Sequence, residues 1–219
     1  MLSKRLQRVL DYINVSDKLA DIGCDHGYLA LHAIKKGVSF VQLVDNKIGP
    51  LNVAKANLSK EELNADIIYS LSNGLSNIDK NINTVAICGM GGDLISSIIN
   101  ENIDVAKRMK HLILEANTKV SILREFLSNN SFKIIDEDVI YDKGKYYEIL
   151  YVAYSLDCNK LSPKEIEFGP ILLKKKSDTF IGFLNYKLDK LNKIILKNDS
   201  SINNLEEKIK AIKEILIEI

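Results

Sequence analysis

The sequence is poor in the residues that staple small domains or bind metals. It holds three cysteines, Cys24, Cys88 and Cys158, and three histidines in 219 residues. The cysteines are far apart, odd in number and form no C-x-x-C pair, so neither a disulfide framework nor a zinc site is indicated and no metal is expected. No apolar run reaches the length of a membrane span. The basic start, Met1 to Arg8, is not followed by the apolar segment of a secretion signal. A reducing cytoplasm is the expected setting, with no membrane partner. Strong net charge is missing too. The formal charge is +1, so contact with nucleic acid has to come from local patches. Also absent is the G-x-G-x-x-G of a dinucleotide fold.

What is present supports one α/β domain with a smaller appendage. The chain is long enough for both, and 46% of it is hydrophobic. Charge is uneven along it: residues 1–157 carry 18 Lys+Arg against 20 Asp+Glu, residues 158–219 carry 12 against 9.

The organising stretch is Leu19-Ala20-Asp21-Ile22-Gly23-Cys24-Asp25-His26-Gly27-Tyr28-Leu29. An apolar strand ends in Asp21, two glycines bracket a polar loop, and Tyr28 to Lys36 reads as a helix. Glycines let backbone approach a ligand, and a helix start offers free N–H groups. Asp25 stands where a dinucleotide loop has its middle glycine. A carboxylate there repels a pyrophosphate but suits S-adenosylmethionine (SAM), which carries an ammonium and a sulfonium. The alternative is an ordinary strand–turn–helix joint.

Further strands follow at Val38–Asp45, Ala65–Leu71, Thr84–Cys88 and His111–Ala116. Asp45, with Asn46 beside it, lies about twenty residues past the loop, where an acid takes ribose hydroxyls. Gly49-Pro50 opens a helix. Asn73-Gly74 forms a polar turn, and Asn73 is a candidate partner for an adenine amino group or a plain turn residue. Gly89-Met90-Gly91-Gly92 follows the fourth strand, and three glycines in four residues imply close backbone approach. Asp93 is expected to cap the helix Leu94–Asn100. Val120–Asn129 is helical. Phe132–Ile140 and Lys145–Ala153 alternate as strands around Asp142-Lys143-Gly144, a hairpin signal. Five βα alternations and a hairpin predict a doubly wound, mostly parallel sheet with one antiparallel strand. Its ligands belong at the carboxyl ends of the strands.

Residues beyond 156 differ. Ile181, Leu184, Leu188, Leu191 and Ile195 form one a/d stripe; Ile202, Leu205, Ile209, Ile212, Leu216 and Ile219 form another. Between them lies the polar connector Lys197 to Ser201. An antiparallel coiled-coil hairpin is expected, making two units, 1–156 and 157–219. At the amino end, Leu2, Leu6, Val9, Leu10 and Ile13 form the apolar face of a helix, with Lys4, Arg5 and Arg8 off that face.

Taken in order, these pieces resemble the bacterial tRNA (adenine-22-N1)-methyltransferases, class I SAM-dependent enzymes. The resemblance covers about residues 2–154. It rests on Leu2-Ser3-Lys4-Arg5-Leu6, the Ala20–Leu29 loop, Gly49-Pro50 four residues after an acid, Asn73-Gly74-Leu75, Gly89-Met90-Gly91-Gly92 and Tyr147-Glu148-Ile149. The family also carries a C-terminal coiled-coil subdomain. One motif departs: where the family has Leu-Ile-Leu-Gln-Pro-Asn, this chain has Leu112-Ile113-Leu114-Glu115-Ala116-Asn117, so only Asn117 carries over. The resemblance implies a Rossmann-like fold, SAM as cofactor and tRNA as substrate.

On this reading Asp21, Gly23, Asp25, His26, Tyr28, Asp45, Asn46, Asn73, Gly74 and Gly89 bind cofactor. Asp25, Gly89, Met90, Gly91 and Asn117 surround the reacting atoms. Lys4, Arg5, Arg8 and Lys174-Lys175-Lys176 contact tRNA. Adenine N1 has an in-plane lone pair and needs no strong base, and methylation leaves positive charge for carboxylates or carbonyls to stabilise. Gly89-Met90-Gly91-Gly92 is not the Asn/Asp-Pro-Pro-aromatic motif associated with exocyclic nitrogen. Oligomeric state stays open, with a monomer favoured. Two other classes remain: a SAM-dependent enzyme acting on another RNA or a small molecule, and a non-catalytic scaffold that keeps the fold.

Overall fold

The structure, a computed structural model, describes residues 2–195 and 202–218. The expected connector, Lys197 to Ser201, and the last stripe residue, Ile219, lie outside the described residues.

Helix α1 (Lys4–Tyr12) starts at Ser3, whose hydroxyl accepts from the Leu6 amide at 3.3 Å. Strand β1 (Lys18–Ile22), helix α2 (Tyr28–Lys36), strand β2 (Phe40–Asp45), helix α3 (Ile48–Leu58) and strand β3 (Asp66–Leu71) follow. The chain then crosses to β4 (Thr84–Gly91), α4 (Gly92–Glu101), α5 (Ile103–Arg108), β5 (His111–Thr118) and α6 (Val120–Asn129). A hairpin of β6 (Phe132–Asp142) and β7 (Lys145–Tyr154) closes the sheet. Its turn uses Lys143 and Gly144 at φ 48° and 82°, the left-handed pair a two-residue hairpin requires.

The seven strands lie in the order β3-β2-β1-β4-β5-β7-β6. All pairings are parallel except those of β7, which runs antiparallel to both β5 and β6. The inner parallel strands β1, β2, β4 and β5 are buried on both faces, with side chains alternating between two apolar clusters: Ala20 and Ile22 of β1 join one, Leu19 the other. The first cluster takes Ile95 and Ile99 of α4 and Leu123 and Leu127 of α6. The second takes Val9 of α1 and Ile13 just after it, Leu29 and Ala33 of α2, and Ala54 and Leu58 of α3.

Three local expectations change. Strands β4 and β5 extend through Gly91 and Thr118, past the apolar run, because parallel pairing continues across a bulge at Gly89. Asp93 does not cap α4. The cap position is Gly91, and Asp93 sits in the first turn with its carboxylate on Lys119 at 2.8 Å. Strand β3 passes to β4 without a helix, so four strands rather than the expected five are followed by one, while α5, six residues long, has too few apolar positions to show a period in the sequence.

Beyond the sheet come α7 (Pro163–Phe168), α8 (Leu172–Lys175), α9 (Asp178–Ile195) and α10 (Ile202–Ile217). Lys176, before α9, donates to the Glu218 carbonyl after α10 at 2.6 Å, so α9 and α10 run antiparallel. Leu184, Leu188, Leu191, Ile212 and Leu216 of the predicted stripes share one cluster with Phe180 and Ile215. Val139 of β6 belongs to the same cluster, seating the hairpin on the edge of the sheet.

Candidate functional site

The order β1-β4 is the switch point of the sheet: the chain leaves β1 toward β2 and β3, then returns to the other side for β4. Ligands of such sheets bind at the strands' carboxyl ends there. Two hollows open at that place. One, about 500 Å³, is lined by Asp21, Gly23, Asp25, His26, Tyr28, Asn117 and Tyr147 among others. The second, about 400 Å³, is lined by Asn46, Ser72, Asn73, Gly74, Leu94 and Ile98. Gly23, Asp45 and Met90 border both, so the two form one cleft.

The loop after β1 is held in an uncommon shape. Gly23 and Gly27 have φ 70°, and Asp25 between them has φ 47°. A left-handed carboxylate residue is a local cost that Asp bears better than most. Its side chain is exposed, 3.6 Å from His26, whose ring stacks on Tyr28 at 5.7 Å. A Cβ on Gly23 would lie 2.3 Å from the Met90 terminal methyl, so Met90 crosses the cleft directly over Gly23. A Cβ on Gly27 would meet Ala54 at 2.9 Å, so that glycine serves the packing of α3.

On the far wall the bulge at Gly89, φ 82°, turns Met90 toward the cleft. Both backbone groups of Gly89 are held by side chains of β5. Its amide donates to Glu115 Oε2 at 2.8 Å, and its carbonyl accepts from Asn117 Nδ2 at 2.7 Å. The same Glu115 oxygen accepts from Arg5 Nη1, tying α1 to the site. Glu115 is fully buried and does not border the hollows, which assigns it to supporting Gly89 rather than to contact with a base.

Electrostatically the cleft wants a cation. Burial pushes the Asp21 carboxyl up to about 7; the Ala30 amide opposes this, and Asp45 and Asp25 add repulsion. Burial also raises the Cys24 thiol to about 12 and the Cys88 thiol well above its ordinary value, so neither is a thiolate nucleophile near neutral pH. In the second hollow Ser72 Oγ is buried without a hydrogen-bond partner among the described residues, a polar atom suited to a nucleoside. Asp45 accepts from the Lys47 amide through Oδ1 at 2.9 Å, leaving Oδ2 for a ligand. These features fit SAM: acids for its cationic end, an acid at the middle and a polar, apolar-walled hollow for its base.

The structure thus gathers Asp21, Gly23, Asp25, His26, Tyr28, Asp45, Asn46, Asn73, Gly74, Gly89, Met90 and Asn117 around one cleft. Gly91 lies outside the lining; a Cβ there would meet Asp93 Oδ1 at 2.7 Å and Thr118 Oγ1 at 3.3 Å. Of the basic residues, Arg5 borders the cleft. Arg8 is bound to Asp138 at 2.7 Å, Lys175 to Asp136 and the Glu137 carbonyl, and Lys176 to the Glu218 carbonyl. Lys4 is exposed and Lys174 borders a separate depression beside the start of β6. Sequence reasoning from spacing missed Tyr147 and Ser72 as cleft residues. Tyr147 stands in a motif of the resemblance, and the Arg5 guanidinium lies 5.2 Å from its ring centroid.

The switch-point cleft and the acid-bearing glycine loop, on this sheet order, define a class I SAM-dependent methyltransferase. Residues 19–217 match the tRNA (adenine(22)-N(1))-methyltransferase family. The chain belongs to that family. The tRNA (adenine(22)-N(1))-methyltransferase of Bacillus subtilis (strain 168) is 30% identical, over 98% of this chain and 97% of the relative. Sp1610 of Streptococcus pneumoniae, solved in complex with S-adenosyl-L-methionine, is 33% identical with a TM-score of 0.89, over 99% of this chain and 100% of that one. TrmK of M. capricolum, solved with S-adenosyl-homocysteine, is 30% identical with a TM-score of 0.86, over 99% and 98%. No helix among the described residues is long and apolar enough to cross a membrane.

Proposed function

We propose that this cleft holds SAM and directs its methyl to N1 of adenine 22 in tRNA. The observation that carries the reading is the shared border of the two hollows, Gly23, Asp45 and Met90, which makes one site with an acidic end and a nucleoside end. Asp45 takes the ribose hydroxyls, Asn73 and Gly74 face the adenine, and Asp21, Gly23, Asp25, His26 and Tyr28 surround the methionine portion. When bound, SAM supplies an electrophilic methyl carbon on a sulfonium.

The chain's own contribution is mainly position. Asn117 and Glu115 fix the Gly89 turn, and Gly89 and Met90 form the wall against which the target base lies. Proximity of this kind lowers a displacement barrier by several kcal/mol, on the order of 7–11 for ideal alignment. N1 lies on the Watson–Crick edge, so the base enters unpaired. As charge grows on the ring, the Gly89 carbonyl and the Asp25 carboxylate offer nearby negative potential. Gly91 acts indirectly, since a side chain there would press on Asp93 and Thr118 beside the wall. No step calls on a metal ion or a second subunit, and the reading places a monomeric enzyme in the cytoplasm. Residues 1–156 are the methyl-transferring unit and residues 157–219 an RNA-holding appendage. In that role Lys4 is exposed and Arg5 borders the cleft while bound to Glu115, and Arg8, Lys175 and Lys176 likewise have internal partners.

The test is incubation of the purified protein with SAM and a tRNA transcript, followed by mass spectrometry of the digested nucleosides. The expected product is 1-methyladenosine, lost in Asp45→Ala at low SAM. A tRNA that stays unmethylated while SAM binds normally would overturn the assignment of substrate.

A further inference from the structure

A third depression, about 510 Å³, lies between the ends of β5 and β7 and the face of α9. Asn117 borders both it and the methyl-transfer cleft, so the two are continuous. Its walls combine aromatic rings and lysines. Tyr146 packs against Phe183 and Tyr186 of α9, each with ring centroids 5.4 Å apart. Gly182 makes that approach possible, since a Cβ there would lie 2.9 Å from the Tyr146 hydroxyl. Tyr186 remains partly exposed, with the Lys190 ammonium 4.5 Å from its ring centroid.

The charges of this groove do not cancel within it. Glu148 is committed to Arg124, Glu167 to Lys208 and Lys187, and Lys119 to Asp93. Lys145 and Lys190 line the groove without a carboxylate partner among the described residues, Lys190 resting on the Tyr186 ring. A partly exposed aromatic ring covered by a flexible lysine without a carboxylate partner suits a single-stranded nucleic acid: a base displaces the Lys190 ammonium from the Tyr186 ring and stacks there, and the ammonium groups meet the phosphates. An acidic peptide would meet the lysines but leave the Tyr186 face without a planar partner.

We propose that this groove is a second RNA subsite, in which a nucleotide flanking the methylated adenine stacks on Tyr186 while Lys145 and Lys190 hold the adjoining phosphates. The inference rests on the tRNA reading above and adds where the strand leaves the cleft. It also gives the helical appendage a direct contact with substrate next to the reacting base, through α9.

The test measures equilibrium tRNA affinity across salt, with SAM affinity and melting temperature recorded for each variant. Tyr186→Ala is expected to weaken tRNA binding about tenfold, and Tyr186→Phe to restore it to within about twofold. Lys145→Gln with Lys190→Gln is expected to flatten the log–log salt slope by about one to two. SAM affinity stays at the wild-type value in all three. These lysines are surface groups, so the second variant reads the groove even if Tyr186→Ala unsettles the helix. Methylation of tRNA by the wild type, together with an unchanged salt slope and unchanged affinity in Tyr186→Ala, would overturn the subsite alone. A wild type that neither binds nor methylates tRNA would overturn the parent reading and the subsite together.

Discussion

Asn117 Nδ2 donates to the Gly89 carbonyl at 2.7 Å, across the ends of two neighbouring parallel strands. With Glu115 on the Gly89 amide, both backbone groups of Gly89, the residue before Met90, are held. Asn117 is exposed, so its bond serves the shape of the cleft more than global stability. Asn117→Ala is expected to lower kcat about 10–100-fold through misplacement of the wall, with SAM affinity within about twofold and melting temperature nearly unchanged. Steady-state kinetics beside calorimetry decides it; wild-type turnover would remove Asn117 from the site.

Asp45 borders the cleft and has only one of its carboxylate oxygens on the Lys47 amide. Asp45→Ala is expected to weaken SAM binding by about 1–3 kcal/mol, the range for a polar partner left unmatched. Calorimetric titration of folded variant protein reads this directly, and an unchanged dissociation constant would place the ribose elsewhere.

The raised Asp21 carboxyl predicts a pH effect with a definite sign. Its ordinary value is about 3.9 and its folded value about 7, so the protonated form is favoured in the folded protein. The stability this gives is fully present below about pH 4 and is lost as pH rises through 7. A cationic ligand prefers the carboxylate. SAM affinity should therefore rise about tenfold from about pH 5.5 to 7, with proton release on binding at the low end. Asp21→Asn should flatten that rise. A wild-type profile as flat as the variant's would separate Asp21 from the cofactor.

Arg124 is fully buried between Glu137 at 2.7 Å and Glu148 at 2.6 Å, and links α6 to both strands of the hairpin. Glu137 also accepts from the Ile171 amide at 3.0 Å, so the same cluster anchors the start of the helical appendage. Arg124→Leu leaves two buried acids without their cation. A loss of about 3–5 kcal/mol in urea unfolding is expected. A loss under about 1 kcal/mol would show that the carboxyls reprotonate without strain.

The sequence revealed the fold where a period or a special residue marked it. Tyr28–Lys36 and Val120–Asn129 begin and end where the pattern places them, because Gly27 and Gly37 bracket the first and apolar spacing defines the second. The cleft was legible for the same reason: glycines and acids at strand ends are local signals. What spacing could not show are partnerships between distant residues. Arg5 meets Glu115 and Arg124 meets Glu137 and Glu148 only after the sheet has formed. The Lys174-Lys175-Lys176 run looks like a patch in sequence, yet two of its three side chains are used internally. The groove of Tyr146, Phe183 and Tyr186 joins β7 to α9, and no one-dimensional pattern joins them.

The most direct measurement is the position and isomer of the methyl group. Wild-type protein is incubated with SAM and two tRNA transcripts, one with adenine at position 22 and one with guanine there. Products are mapped by primer extension and by nucleoside mass spectrometry that resolves 1-methyladenosine from 6-methyladenosine. The account predicts a primer stop at position 22 and 1-methyladenosine in the first transcript, and neither in the second. A 6-methyladenosine product, or equal methylation of both transcripts, would contradict it.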